Sequence, residues 1–177
     1  MKQLRQYIRQ LIIEQINQPL IGAVYCDMDG VLVDFMKGAD AAVGDSFVNT
    51  DKATRWDKIH QVKGFWENLD WMLGAKRLYQ FIIKYDSHIL SAYNKRNPIS
   101  RTGKMKWLVK NTNFKKSNIN LVFRSYKQKF ATTDEKPNIL IDDYGKNIRE
   151  WEATGGIGIL HTDVGKTISE LKRLGFK

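Results

Sequence analysis

The chain is poor in cysteine and proline. Cys26 is the single cysteine among 177 residues, which excludes an internal disulfide framework and a cysteine-built zinc site. Three prolines and thirteen glycines exclude collagen-like or linker composition. Long apolar runs are lacking too. Stretches such as IGAVY at 21–25 fall far short of the roughly 20 residues a membrane span needs, so no membrane partner is expected. The N-terminal MKQLRQYIRQLIIEQ alternates charged and apolar residues without a continuous signal-peptide core, and the expectation is a soluble protein of the reducing cytoplasm. No internal repeat or low-complexity tract divides the chain, so one domain with a small insert is expected.

What the chain does have is an ordinary core-forming composition, 42% hydrophobic, and 29 Lys+Arg against 19 Asp+Glu, a net charge of +10. That balance argues against disorder as the main state. The excess is local: residues 95–136 hold twelve basic and two acidic residues, a surplus equal to the whole net charge. Part of the stretch reads as a solvated helix face, and part as a field that draws phosphorylated substrates.

Leu4, Ile8, Leu11, Ile12 and Ile16 recur at helical spacing, predicting an amphipathic helix over 2–17 that Pro19 ends. Five short, nearly continuous apolar runs follow at 21–27, 87–92, 119–124, 138–143 and 156–161, the pattern of strands covered on both faces. Helical periodicity fills about 75–85, 99–111, 144–153 and 164–174, so the fold class is α/β, a three-layer, Rossmann-like parallel sheet. The gap between the first two runs is about twice what one crossover helix needs. Its aromatic residues read as a small helical cap inserted after strand 1, over 37–75. The remainder divides into an N-terminal helical segment, 1–20, and a core of 21–36 and 76–177.

In open parallel sheets ligands bind beyond the carboxyl ends of the strands, and polar residues cluster there. The first run ends in Asp27-Met28-Asp29-Gly30, the second in Ser91-Ala92, the third leads into Arg124-Ser125-Tyr126-Lys127, and the fourth ends in Asp142-Asp143. Carboxylates brought together repel unless a cation sits among them, and an all-oxygen cluster suits Mg²⁺. Side chains two apart on an extended chain point the same way, so Asp27 and Asp29 can address one substrate while Gly30 permits the turn. One carboxylate can attack phosphorus, and the other can protonate the leaving oxygen and later deprotonate water. Ser91 and the N–H groups after it can hold phosphate oxygens, with Lys127 offsetting their charge. Lys129 and Arg124 are rivals for that lysine's place.

At these residues the sequence resembles the haloacid-dehalogenase-like (HAD) phosphatases. YCDMDGVLVDF is similar to their first motif, ILSA to the second, Lys127 to the third-motif lysine and ILIDD to the acidic fourth, in that order. DMDGVLVDF together with KGFWENLDWMLGA at 63–75 looks most like the 5'(3')-deoxyribonucleotidase branch, and ILIDDYGKNIREWEATGGIGILH resembles small phage-encoded members. The resemblance spans about 21–162. It implies a HAD-like core, Asp27 as the nucleophile that forms an aspartyl-phosphate, and Asp29 as general acid/base. Dehalogenases lack that second aspartate, so Asp29 points to phosphate chemistry. The resemblance further implies Mg²⁺ held by the Asp27 side chain, the Asp29 carbonyl and the acidic pair, with Asp143 the direct ligand and Asp142 behind it. Ser91, Ala92 and Lys127 would bind phosphate, and Phe35, Phe65 and Trp66 match positions that contact sugar and base. The second motif departs from the nucleotidase pattern in reading Ser-Ala-Tyr-Asn before a denser basic stretch.

Other residues read as structural. His60, His88 and His161 have no ligand-spaced partner, Cys26 should point into packing, Asp34 should cap or brace the turn after the first motif, and TGGIGIL lacks the strand-before, helix-after context of a dinucleotide fingerprint. The expected function is hydrolysis of a phosphorylated small molecule, a nucleoside monophosphate. Two alternatives stay open: phosphate ends of DNA or RNA as substrate, and a noncatalytic nucleic-acid-binding protein on the same fold. Oligomeric state is not legible.

Overall fold

The computed structural model describes residues 4, 6, 7, 21–94 and 97–177. The helix expected over 2–17 therefore lies outside the described residues apart from Leu4, Gln6 and Tyr7, which are helical and exposed. No helix among the described residues is long and apolar enough to cross a membrane.

Five parallel strands form the sheet: β1 (Val24–Cys26), β2 (Ser87–Ala92), β3 (Ile119–Val122), β6 (Ile139–Asp142) and β7 (Ile157–Leu160). A two-stranded hairpin, β4 (Thr132–Thr133) with β5 (Lys136–Pro137), stands apart. The sheet order is β3-β2-β1-β6-β7, so β1 lies at the centre, paired to β2 on one side and β6 on the other. Successive strands are added to one side of β1 and then to the other, and such a switch opens a crevice at the carboxyl edge.

Alternate side chains leave the strands on opposite faces. Val24, Cys26, Ile89, Ile139 and Ile141 belong to one core cluster, packed under α3 (Ala75–Ile82), α4 (Pro98–Asn111) and α6 (Val164–Arg173). Ala23, Tyr25, Leu90 and Leu140 belong to the other, covered by Ile148 and Trp151 of α5 (Gly145–Glu152). Two covered faces explain why each strand reads as a continuous apolar run rather than an alternating one. Each such side chain taken out of water contributes about 1.5–3 kcal/mol.

The insert after β1 holds α1 (Phe35–Val43), α2 (Lys52–Gln61) and a 3₁₀ turn at Phe65–Glu67. Asp34 caps α1, accepting from the Lys37 N–H, and Asp51 caps α2, accepting from Ala53 and Thr54, each satisfying donors that a helix start leaves free. The first cap helix thus begins two residues before the expected boundary at 37. The cap's apolar residues, Ala39, Val43, Ile59 and Leu69 among them, are continuous with the larger core. Trp107 of α4 ties the two together, its indole N–H donating to the Leu69 carbonyl at 2.7 Å. At Gly103 the cap touches α4 so closely that a Cβ there would lie 2.5 Å from that of Trp66.

The third strand stops at Val122, two residues short of the expected run. From Arg124 to Phe130 the chain winds into a 3₁₀ helix, which turns Lys127 inward.

Candidate active site

Asp27 leaves the sheet still in strand pairing, its N–H donating to the Ile141 carbonyl at 2.9 Å. The chain then folds sharply: the Met28 carbonyl accepts from Leu32 and Val33 at 2.8 and 2.9 Å, and the Gly30 N–H reaches the Val33 carbonyl. Gly30 takes φ +72°, and a Cβ there would collide with the Asp143 carboxylate. That glycine supplies both a left-handed turn and room for a charged neighbour.

The turn places Asp27 and Asp29 beside the end of β6, and carboxylate oxygens of Asp27, Asp142 and Asp143 all lie within 4.8 Å of one another. Two lysines enter the cluster. Lys127 is buried, with its ammonium 3.0 Å from Asp27 Oδ2 and 2.7 Å from Asp142 Oδ2. Burial works to lower its pKa, but Asp27 and Asp142 outweigh that and hold it above the ordinary value, keeping it charged. Lys129 points elsewhere, over the Tyr126 ring, and Arg124 is held by Glu150 and Asn147.

Lys104 is the second lysine, and the sequence did not mark it as a site residue. It lies in the middle of α4, only 1% exposed. Its ammonium donates to Asp29 Oδ2 at 2.6 Å, to the Ser91 hydroxyl oxygen at 3.1 Å and to the Ala92 carbonyl at 2.6 Å. The Trp66 ring covers it at 5.2 Å. All three ammonium protons are thereby used. The Ser91 oxygen accepts from Lys104, and its own O–H is the group that can still donate. Asp29 is pinned through Oδ2, while its buried Oδ1 has no partner among the described residues. Burial raises the Asp29 pKa, and the Lys104 charge opposes it.

Asp142 is enclosed. Its Oδ2 accepts from Lys127 and from the Asn147 amide at 2.9 Å, and its Oδ1 from the Tyr144 N–H at 2.9 Å. Burial and Asp27 push its pKa up. Asp143 sits at the exposed rim, facing Gly30, and partial burial followed by repulsion from Asp27, Asp142 and Asp29 pushes it up to about 7. Four carboxylates against two buried ammonium groups leave two negative charges. An all-oxygen set with that deficit fits a hard divalent cation such as Mg²⁺. With the Asp142 oxygens already engaged, Asp143 has the carboxylate left open to an ion.

The cap aromatics both pack on one another and border a cavity. Phe65 and Trp66 are 7% and 5% exposed. They pack edge to face at 5.0 Å and, with Phe35, Phe47 and Trp56, form a five-ring cluster. What Trp66 offers the site is its contact with Lys104. A cavity of about 480 Å³ does lie between the cap and α4, bordered by Phe65, Trp66, Pro98 and Thr102. Cys26 is buried, its thiol pKa raised first by burial and then by Asp27, which keeps it protonated. His88 faces Asp86, and His161 pairs with the Thr167 hydroxyl at 2.8 Å.

The missed lysine carried a faint signal. Lys104 stands 13 residues after Ser91, on the helix that follows β2, beside Gly103, where α4 comes closest to Trp66 of the cap.

No protein-family model and no curated protein matches the sequence. Among solved structures, a hydrolase from Streptococcus pneumoniae TIGR4 superposes with a TM-score of 0.52 at 12% identity, covering 85% of this chain and 97% of that one. A hydrolase from Pseudomonas syringae gives 0.52 at 16% identity, covering 86% and 89%. These two likenesses establish a shared fold, the parallel, Rossmann-like α/β architecture. A HAD family enzyme from Bacteroides thetaiotaomicron, in complex with magnesium and inorganic phosphate, aligns at a TM-score of 0.46 and 16% identity over 85% of this chain and 98% of that one.

Proposed function

We propose that the protein is a HAD-like, Mg²⁺-dependent phosphomonoesterase that hydrolyses nucleoside monophosphates through an aspartyl-phosphate on Asp27. The observation that carries this reading is the pairing of each motif aspartate with its own buried lysine, Lys127 on Asp27 and Lys104 on Asp29, around Ser91.

Asp27 is the nucleophile: its carboxylate oxygen bonds to phosphorus as the ester P–O bond breaks. The departing alcohol oxygen takes its proton from Asp29, whose unpaired Oδ1 is the atom free to deliver it. In the second half-reaction the same Oδ1 takes a proton from water, which attacks phosphorus, releases inorganic phosphate and restores Asp27. The Ser91 hydroxyl and the N–H groups beyond it hold phosphate oxygens, and Lys127 offsets charge gathering beside Asp27. Asp27, the Asp29 carbonyl and Asp143 would hold Mg²⁺, with Asp142 bracing them. When bound, the ion neutralises the carboxylate cluster and polarises the phosphoryl oxygens. The cap excludes bulk water from the reacting groups. The partner is the phosphorylated substrate, with nucleic acid as a second candidate, and a cytoplasmic location suits it.

The test is phosphate release from a panel of nucleoside monophosphates with Mg²⁺ or EDTA, with Asp27→Asn as control. Mg²⁺-dependent turnover lost in Asp27→Asn is expected. Absence of turnover, or turnover that survives Asp27→Asn, overturns the reading.

A further inference from the structure

Besides the cap's five-ring cluster, a second aromatic group lies near the phosphate site. It belongs to the loops that follow β2 and β3 at the same carboxyl edge. Tyr93 stands two residues after Ser91, and Tyr126 immediately precedes Lys127. The two loops are tied by the Tyr93 N–H, which donates to the Val122 carbonyl at 3.0 Å. Phe123 bridges the tyrosines, its ring 4.8 Å from Tyr93 and 6.0 Å from Tyr126. Tyr126 is 45% exposed.

Cations sit on these rings. The Arg101 guanidinium lies 5.7 Å from the Tyr93 ring and the Lys129 ammonium 4.2 Å from that of Tyr126. Neither pairs with a carboxylate among the described residues. Both belong to the segment that carries the chain's whole charge excess. The exposed Tyr126 ring beside half-buried Tyr93 and Phe123, flanked by cations that pair with no carboxylate among the described residues, matches one chemistry. Bases stack on the rings without regard to sequence while the cations follow the backbone phosphates.

We propose that this face is a stacking platform for single-stranded nucleic acid, so that the site accepts the phosphorylated end of a strand and not only a mononucleotide. The proposal rests on the phosphomonoesterase reading and names a further substrate class for the same site. Tyr126 and Tyr93 take bases of the nucleotides beyond the phosphorylated one. Arg101 and Lys129 contact the phosphodiesters between them. The phosphate end lies at Asp27 and Ser91.

The test uses the full chain in EDTA, with fluorescence anisotropy of eight-residue oligothymidylates phosphorylated at the 5' or the 3' end, and with thymidine monophosphates as competitors. Phosphate release from the same compounds is followed in Mg²⁺. At least one phosphorylated strand is expected to bind at least about tenfold more tightly than the mononucleotide. Tyr126→Ala is expected to weaken strand binding about tenfold, and Lys129→Ala to lower the salt dependence, the slope of log K against log salt, by about 0.7. Both variants should turn over mononucleotides as the parent does. Strand binding no tighter than mononucleotide binding, or unchanged in both variants, overturns the platform even when mononucleotides are hydrolysed. Tyr126-dependent strand binding by a protein that releases phosphate from nothing supports the platform as a binding surface and overturns the catalytic reading instead.

Discussion

Replacing Lys104 by methionine keeps the length and the apolar stem of the side chain and deletes the charge. The Lys104 to Asp29 separation is 2.6 Å, so the pair attracts by roughly 6 kcal/mol at an effective dielectric of about 20. Several kcal/mol of that are offset by taking the ammonium out of water. Removal strands Asp29 Oδ2, the Ser91 oxygen and the Ala92 carbonyl, three acceptors that Lys104 satisfies. The net cost expected is about 3 kcal/mol, or about 6–12 °C in Tm at ~2–4 °C per kcal/mol for a chain this size. The catalytic effect should be larger than the stability effect suggests. Without Lys104 only the weaker pull of the Lys127 charge opposes the burial and the Asp27 repulsion that raise the Asp29 pKa, and Asp29 loses the anchor that leaves Oδ1 free. A fall in kcat of about a hundredfold follows from disabling an acid–base group, with KM changed little. Lys104→Arg should not rescue, because a site 1% exposed has no room for a guanidinium. In a double-mutant cycle with Asp29→Asn, the double variant should be no slower than the slower single variant. A Lys104→Met enzyme with kcat within threefold of the parent and an unchanged Tm would refute the reasoning. So would additive losses in the cycle.

The Asp143 carboxyl, pushed up to about 7, holds a proton in the folded ion-free state that the unfolded chain releases near pH 4. Stability in EDTA should therefore fall as pH rises from about 4 to about 7, Mg²⁺ should remove the fall, and Asp143→Asn should flatten it; thermal melts at pH 5, 6, 7 and 8 check this, and an identical slope in the variant counts against it. Asp134 and Glu135 turn the β4–β5 hairpin at φ 47° and 63°, where glycine is relaxed and other side chains are not. Glu135→Gly should raise stability by about 1 kcal/mol, or about 2–4 °C in Tm, and a lowered Tm would show that the turn is not strained.

The parts of the site that were legible in the sequence are those that lie within a few residues of a strand end. A nearly continuous apolar run predicts a strand covered on both faces, and in a parallel sheet every such strand ends at one edge. Asp27, Asp29, Ser91 and the Asp142-Asp143 pair therefore meet because of pattern and topology, with no knowledge of packing. Asp34 as a helix cap was legible for the same reason, since capping is settled within four residues.

What depended on packing was not legible. Lys104 reads as one charge on a basic helix face, and its burial follows only from how Gly103 lets α4 press against Trp66. That Phe65 and Trp66 border a cavity while packing into a five-ring cluster continuous with the main core depends on how the insert folds against α4. Tyr93, Phe123 and Tyr126 are separated by up to 33 positions, and only the pairing of β2 with β3 sets their rings together. The sequence by itself determined the strands, their order of motifs and the carboxylates at their ends, since local pattern specifies local structure. The tertiary structure alone decided which lysine serves which aspartate and that Tyr126 stays exposed, since burial is a property of the assembled layers.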